Sequence, residues 1–553
     1  MRAQAAATTD PVWVKVASEY SAFSVSGTQT VRFGAGSSWV SKQVTGSGKC
    51  NTSFFGSDPA HGIVKECDVA TYPAGTGSTS GTGSTSGTGS TSGTGSTSGT
   101  GTSTGSGATT VTASMTASRV TGVAPLAVLF DATGTTNTSG LDSFRQLNYA
   151  FNFGDDRGLK WSVSGLPKNT ETSGPVAAHV FDVAGTYTIT VKATNPSTGE
   201  TSTANVTVTV TAADTAYTGT KTVCVSAAKN YTGCPSGASL STALPTGTAW
   251  NGKRVLLARG ESFGDISILD GNVGVQVGAY GSGNAPVVNS VGVGNWRPTT
   301  ANFASDITVM DLAITNGVAQ SLGKQVLLYR LDMTSPSNGH GIYTGGISYW
   351  AASDPYRTVP TSSFYYASQI FVVENKVTGT FSDGGYNLFG DGSQYAMLGN
   401  VMGVSKYHTA RFTKVRKAIV AHNQLRGINP SGTYHSLKLH SGGLTAYTDA
   451  YKDDAWYSEQ VVVANNLFGD PSDTNQWTVA ICPENDTSAE GVSNVLVQNN
   501  SFIRNSHTSQ DLTMGGKQLT YRSNTVKSGG SLWEGVGHDA ALPTNWKGPY
   551  YAN

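Results

Sequence analysis

Between Lys406 and Ser441 the chain carries four of its nine histidines and a dense share of its Lys and Arg. Two short pieces of this stretch echo one another. His408-Thr-Ala-Arg411 returns 27 residues later as His435-Ser-Leu-Lys438. If one coil of a β-solenoid takes that many residues, the echo sets Arg411 beside Lys438 on strands about 4.8 Å apart. Like charges this close are costly unless an anion or a chemical task requires them. Strand alternation agrees with the pairing. In Ser436-Leu-Lys-Leu-His440, inward Leu437 and Leu439 send Lys438 and His440 outward, and inward Ala410 and Phe412 send Arg411 outward. His408 and His435 join that face only from the bend before each strand. One coil earlier, Asp383-Gly-Gly-Tyr-Asn-Leu-Phe-Gly brings Asp383, Tyr386 and Asn387 to the matching place.

An outer face bearing Arg, Lys and His suits an acidic polysaccharide. Elimination across a uronate needs its carboxylate neutralised, its C5 proton removed and its leaving O4 protonated. Arg411 is the candidate neutraliser, since its planar fork binds a carboxylate in bidentate fashion and keeps its charge. Lys438 is the candidate base, its charged form disfavoured by Arg411. His408, His435 and Tyr386 are candidate acids. His440, Asn387, Asp383 and Lys414 are candidate substrate contacts, although Lys414, like Arg416 and Lys417, also reads as solvated surface. His422 reads as a bend residue. The rival chemistry uses carboxylates: Asp383, Asp391, Asp449, Asp453, Asp454, Glu484, Asp486 and Glu490 fall in loops of the same region. Two of them could act as acid and base of a glycoside hydrolase. Converging oxygens, with Glu484 and Asp486 as weak candidates, could instead bind Ca²⁺. No cofactor is required by the sequence, and Ca²⁺ is the metal to consider.

These residues need a long β scaffold, and the composition supplies one. Length alone, 553 residues, suggests several domains, and Gly is abundant while charged residues make up only 13%. Net charge is zero, so nothing global favours nucleic acid. No apolar run approaches the roughly 20 residues of a membrane span. Cys50 and Cys67 fall in one small segment and Cys224 and Cys234 in another, which suits two disulfides in an oxidising compartment. Cys482 reads as a buried apolar residue. Ala3-Gln4-Ala5 is a weak trace of a cleaved signal peptide. A secreted bacterial monomer is the expectation.

Residues 10–72 read as a small β module, and residues 73–108 as a flexible tether of GTGSTS repeats with nothing to bury. Residues 109–212 alternate apolar and polar like a β-sandwich. Residues 215–553 show short strands that end in Asn375, Asn400, Asn423, Asn466, Asn500 and Asn524, as in a solenoid whose bends carry an asparagine ladder. In this reading each asparagine takes the left-handed conformation of the bend.

Three resemblances refine the picture. The stretch from Thr30 to Val69, TVRFGAGSSWV through GIVKECDV, resembles a module found beside catalytic domains of secreted bacterial polysaccharide-degrading enzymes and presumed to bind carbohydrate. Trp13, Phe33, Trp39, Phe54 and Phe55 are then stacking candidates, or core. Tyr149-Ala-Phe-Asn-Phe-Gly-Asp155 and the run from His179 to Asn195 resemble the two signatures of PKD domains, Ig-like sandwiches that serve mostly as spacers. Asp155 and Asp156 there read as a turn rather than a calcium site. Gly252 to Phe263 and Val277 to Val288 resemble the opening coils of right-handed parallel β-helices of the pectin-lyase-like class, mainly polysaccharide lyases and glycoside hydrolases. That resemblance implies an all-β chain with a capped solenoid, the cap coming from the Cys224–Cys234 loop and Leu240 to Leu257. It also implies β-elimination on the outer face of the helix, with a hydrolase or a binding solenoid as alternatives.

Overall fold

The computed structural model describes residues 12–35, 38–59, 65–71, 99–100, 110–295, 302–315, 319–321, 323–334, 341–345, 367–378, 385–426, 435–440, 457–469, 478–481, 491–503, 512–515, 517–526 and 534–537. Asp383, Glu484, Asp486 and Cys482 lie outside the described residues, as do Asp449, Asp453, Asp454, Glu490 and nearly all of the repeat tether. The chain divides into two compact units, Met1–Gly93 and Thr94–Asn553.

The first unit is an antiparallel sheet of Val12–Ser18, Ala22–Ala35, Ser38–Lys49 and Glu66–Thr71, the last lying between the first and second. Such a small sheet has a thin core, and the Cys50–Cys67 disulfide secures it. Phe33 and Phe55 are buried in that core with ring centroids 5.3 Å apart, so they offer no face to a sugar. Phe54 is partly buried, with Lys42 over its ring. Strand alternation puts Arg32, between buried Val31 and Phe33, on the other face. There Trp13 and Trp39 flank it, 4.5 and 3.8 Å from Cζ.

In the second unit, described residues 110–211 with the short strand Gly99–Thr100 form a sandwich of a five-stranded and a four-stranded sheet. Strand Thr201–Thr211 shows why. Its residues alternate almost perfectly between exposed and buried, and the inward side chains build one apolar core with Phe130, Phe151 and Ile189. Asp155 is buried in this sandwich, where Arg157 and His179 hydrogen-bond its carboxylate.

Between Thr222 and Gly537 the described strands form a parallel β-helix, 20 of them in one sheet and 10 in a second. A coil contributes a short strand such as Leu437–Leu439, a longer one such as Tyr457–Ala464 and a two-residue strand such as Leu467–Phe468. Cys224–Cys234 closes the first loop. At this end Trp250, rather than the exposed Leu240, fills the core beside Val225 and Val255.

The six asparagines stack in one column. After the first, each Oδ1 accepts from both the backbone N–H and the Nδ2 of the asparagine one step earlier, at 2.9 to 3.0 Å, while Asn375 Oδ1 accepts from the Leu331 N–H at 2.9 Å. The left-handed residue is not the asparagine itself but the one before it. Glu374, Gly399, His422, Asn465, Asn499 and Ser523 have φ between 53° and 65°. The bend thus uses two positions, one to turn the backbone and one to satisfy its polar groups. Asn423→Ala leaves the buried N–H groups of Asn400 without their acceptor and is expected to cost about 2–3 kcal/mol. Urea unfolding measures this, and a loss below about 1 kcal/mol would show that the ladder is not a main support.

The sandwich packs on the β-helix rather than standing off from it. Leu129, Trp161, Val176 and Val180 share one buried cluster with Phe371, Leu398, Ile419 and Val462 of the helix. Charged pairs fringe it: Lys168 with Glu374, Lys417 with Asp131, and Arg119 with Asp306. Lys417 is therefore an interdomain partner, not bare surface, and Arg416 pairs with Glu459 at 2.7 Å. A Cβ at Gly399 would come within 2.7 Å of Trp161, so glycine serves both the bend and the docking there.

Candidate active site

The echo in the sequence is a register pair in the structure. Arg411 lies opposite Lys438 on one side and Phe389 on the other, in parallel strands of neighbouring coils. Leu437 and Leu439 are buried and Lys438 is half-buried between them, while Ala410 and Phe412 are buried on either side of Arg411. The two cations thus share an outward column because their neighbours are drawn into the core.

Three residues earlier a second column runs parallel to the first. Tyr386, His408 and His435 stack with ring centroids 5.8 Å and then 5.0 Å apart, close to one strand spacing. The bends stay in register because Thr409 and Ala410 donate their backbone N–H groups to the carbonyls of His435 and Ser436, each at 3.0 Å. His408 Nδ1 accepts from the backbone N–H of His435 at 2.9 Å, so a neutral His408 carries its proton on Nε2. His408 and His435 are both buried. Burial first, and then the electrostatic effect of His435, Lys438, Arg411 and His440, hold His408 far below the ordinary imidazole range. It is uncharged at neutral pH and does not serve as an imidazolium acid.

The columns are tied together at Arg411. Its Nη1 donates to the Tyr386 hydroxyl at 2.8 Å and its Nε donates to His440 Nε2 at 2.8 Å. Its Cζ sits 5.7 Å from the ring centres of both Tyr386 and Phe389, and Tyr343 stacks on Phe389 at 5.1 Å. Sequence reasoning did not single out Phe389 or Tyr343. Their signal was an aromatic in the outward slot of successive strands, in register with Arg411.

Two expected contacts fall elsewhere. Asn387 is fully buried and its Nδ2 donates to the Gly403 carbonyl at 2.6 Å, which removes it from a substrate on the outer face. His440 faces the Arg411 side as expected but is fully buried, so it touches Arg411 rather than open solvent. Lys414 lies in strand Ala410–Ala421 opposite Asp391. Asp391 itself is buried and accepts a hydrogen bond from Thr413. Among the described residues no group of three or more His, Cys, Asp or Glu is placed to hold a metal ion.

Residues 110–210 match the PKD domain family. The match covers the sandwich and gives the chain a modular character, often carbohydrate-related and extracellular, which the two disulfides also fit. Among the described residues no helix is long and apolar enough to cross a membrane.

Proposed function

We propose that the β-helix is a polysaccharide lyase acting on a uronate-containing chain laid along its outer face, in a modular secreted protein. The observation that carries this reading is the register pairing of Arg411 with Lys438, with the Tyr386 hydroxyl bonded to the same guanidinium. Arg411 holds the C6 carboxylate, which makes the C5 proton acidic. Lys438 Nζ takes that proton, the electron pair forms the C4–C5 double bond, and the C4–O4 bond breaks. The departing oxygen receives its proton from Tyr386. Among the candidate acids Tyr386 is favoured: its oxygen accepts from Arg411, which turns its own O–H away to donate, whereas His408 is buried and uncharged. The hydrolase reading needs two carboxylates facing each other across the substrate, and Asp391, the described member of that set, is buried beneath the face.

The test is an ultraviolet absorbance screen against acidic polysaccharides, because elimination leaves a conjugated double bond. Arg411→Lys keeps the charge but loses the fork, and is expected to lower kcat/KM about 10- to 100-fold on the substrate that responds. New reducing ends without absorbance would replace the lyase by a hydrolase. Binding without new chain ends would leave a glycan-holding solenoid.

A further inference from the structure

Arg411 is a long side chain on an outer face, yet it has a fixed pose. One of the groups that fixes it, His440, lies completely out of solvent. The His440 backbone is pinned at both ends: its N–H donates to the Phe412 carbonyl at 3.0 Å, and its own carbonyl accepts from Ser458 Oγ at 2.8 Å. Ser458 Oγ in turn accepts from the Val415 N–H at 3.2 Å, so the anchor reaches into the next strand segment. The ring then presents Nε2 to Arg411 Nε at 2.8 Å. A guanidinium nitrogen has no lone pair and only donates, so His440 Nε2 must accept, and the imidazole carries its proton on Nδ1. With Tyr386 taking the bond from Nη1, two of the three guanidinium nitrogens are fixed and the plane of the fork is set.

We propose that His440 is a positioning residue: an anchored imidazole, protonated on Nδ1, whose Nε2 sets the plane in which Arg411 meets the carboxylate of a sugar acid. This rests on the lyase reading for the identity of the ligand, but not for the hold of His440 on Arg411. It separates three histidines that look alike in sequence. His408 and His435 support the bend column, whereas His440 acts on the strand column, through Arg411. A bidentate carboxylate contact depends on the orientation of the fork, so loss of that orientation weakens the contact while the charge remains.

The experiment compares His440→Gln with His440→Met in the full chain. Gln carries an acceptor at about the place of Nε2, whereas Met fills the volume without a strong acceptor. Crystal structures of both variants are expected to show Arg411 in its original plane with Gln and swung away with Met. On the acidic polysaccharide that the wild type cleaves, kcat/KM is expected to fall about tenfold in His440→Met and to recover to within about threefold of wild type in His440→Gln. Arg411 unmoved in His440→Met, or His440→Gln as impaired as His440→Met with equal loss of thermal stability, overturns the assignment. If the wild type cleaves no polysaccharide, the lyase reading fails while the position of Arg411 in the two structures still decides the role of His440.

Discussion

Lys438→Ala is expected to lower kcat for elimination by about 10² to 10⁴, the usual worth of a general base, with a much smaller change in KM. Lys438 is half-buried and outward, while the strand is held by Leu437 and Leu439 in the core and by pairing with both adjacent coils. The measurement is the initial rate of absorbance growth on the responding polysaccharide, with far-ultraviolet circular dichroism and melting temperature as folding controls. Lys438→Arg sharpens the result, since it keeps the positive charge but cannot give up its proton. Equal loss in both variants identifies proton abstraction. Full activity in Lys438→Arg would reduce Lys438 to an electrostatic role and move the base elsewhere on the face.

Glu171→Ala is expected to destabilise the second unit by about 3–5 kcal/mol, the cost of breaking a buried pair from one side. Glu171 Oε2 meets His422 Nε2 at 2.8 Å, and both residues are at most 5% exposed. The Ser164 hydroxyl lies 2.9 Å from His422 Nδ1 and Trp161 stacks on the ring at 5.0 Å, so the histidine is enclosed by the sandwich. Burial would raise the Glu171 carboxyl, but the charge and hydrogen bond of His422, with bonds from Ser173 and the Thr172 N–H, outweigh it and hold the carboxyl below its usual 4.5. Its folded value is lower than its unfolded one. The stability it confers is therefore fully present above about pH 4.5 and is lost as pH falls through the folded value. His408 and His179 act in the same direction from a higher pH. Burial leads in holding both below 6.5, so their unfolded forms take up protons first as pH falls below that point. Wild type is thus expected to lose stability in two stages on acidification, below about 6.5 and again below about 4.5, and Glu171→Ala to show a smaller second stage, since Asp155, Glu200 and Asp265 are also held below the usual carboxylate range and still contribute to it. Denaturant melts from pH 8 to pH 3 measure this. A Glu171→Ala melt within about 1 kcal/mol of wild type at neutral pH would show that apolar contact alone docks the sandwich.

The pairing of Arg411 with Lys438 was legible because the same pattern recurs at one coil length and the alternation of Leu and Phe around each cation fixes its direction. Asn387 was misplaced for a related reason. The two-residue period applies only within an extended strand, and Asn387 sits in the bend before Leu388, where the chain turns its side chain inward. The docking of the sandwich also left a trace. Ile-Phe-Val-Val at 370–373, Ala-Ile-Val-Ala at 418–421 and Val-Val-Val-Ala at 461–464 are apolar without alternation, the mark of strands buried on both faces. One face lines the helix core, and the other waits for a partner that the run itself does not identify.

Local chemistry by itself determined the modular all-β plan, both disulfides, the asparagine column and the two outward cations. Each of these follows from spacing along the chain or from the two-residue period of a strand. Tertiary structure decided what long-range contact alone can set. It assigned His422 to Glu171, 251 residues away, and turned an expected spacer into a docked layer. It also buried His408, His435 and His440 and gave the last its bond to Arg411. A side chain's charge state and pose depend on what covers it, and in a solenoid the cover comes from other coils and other domains.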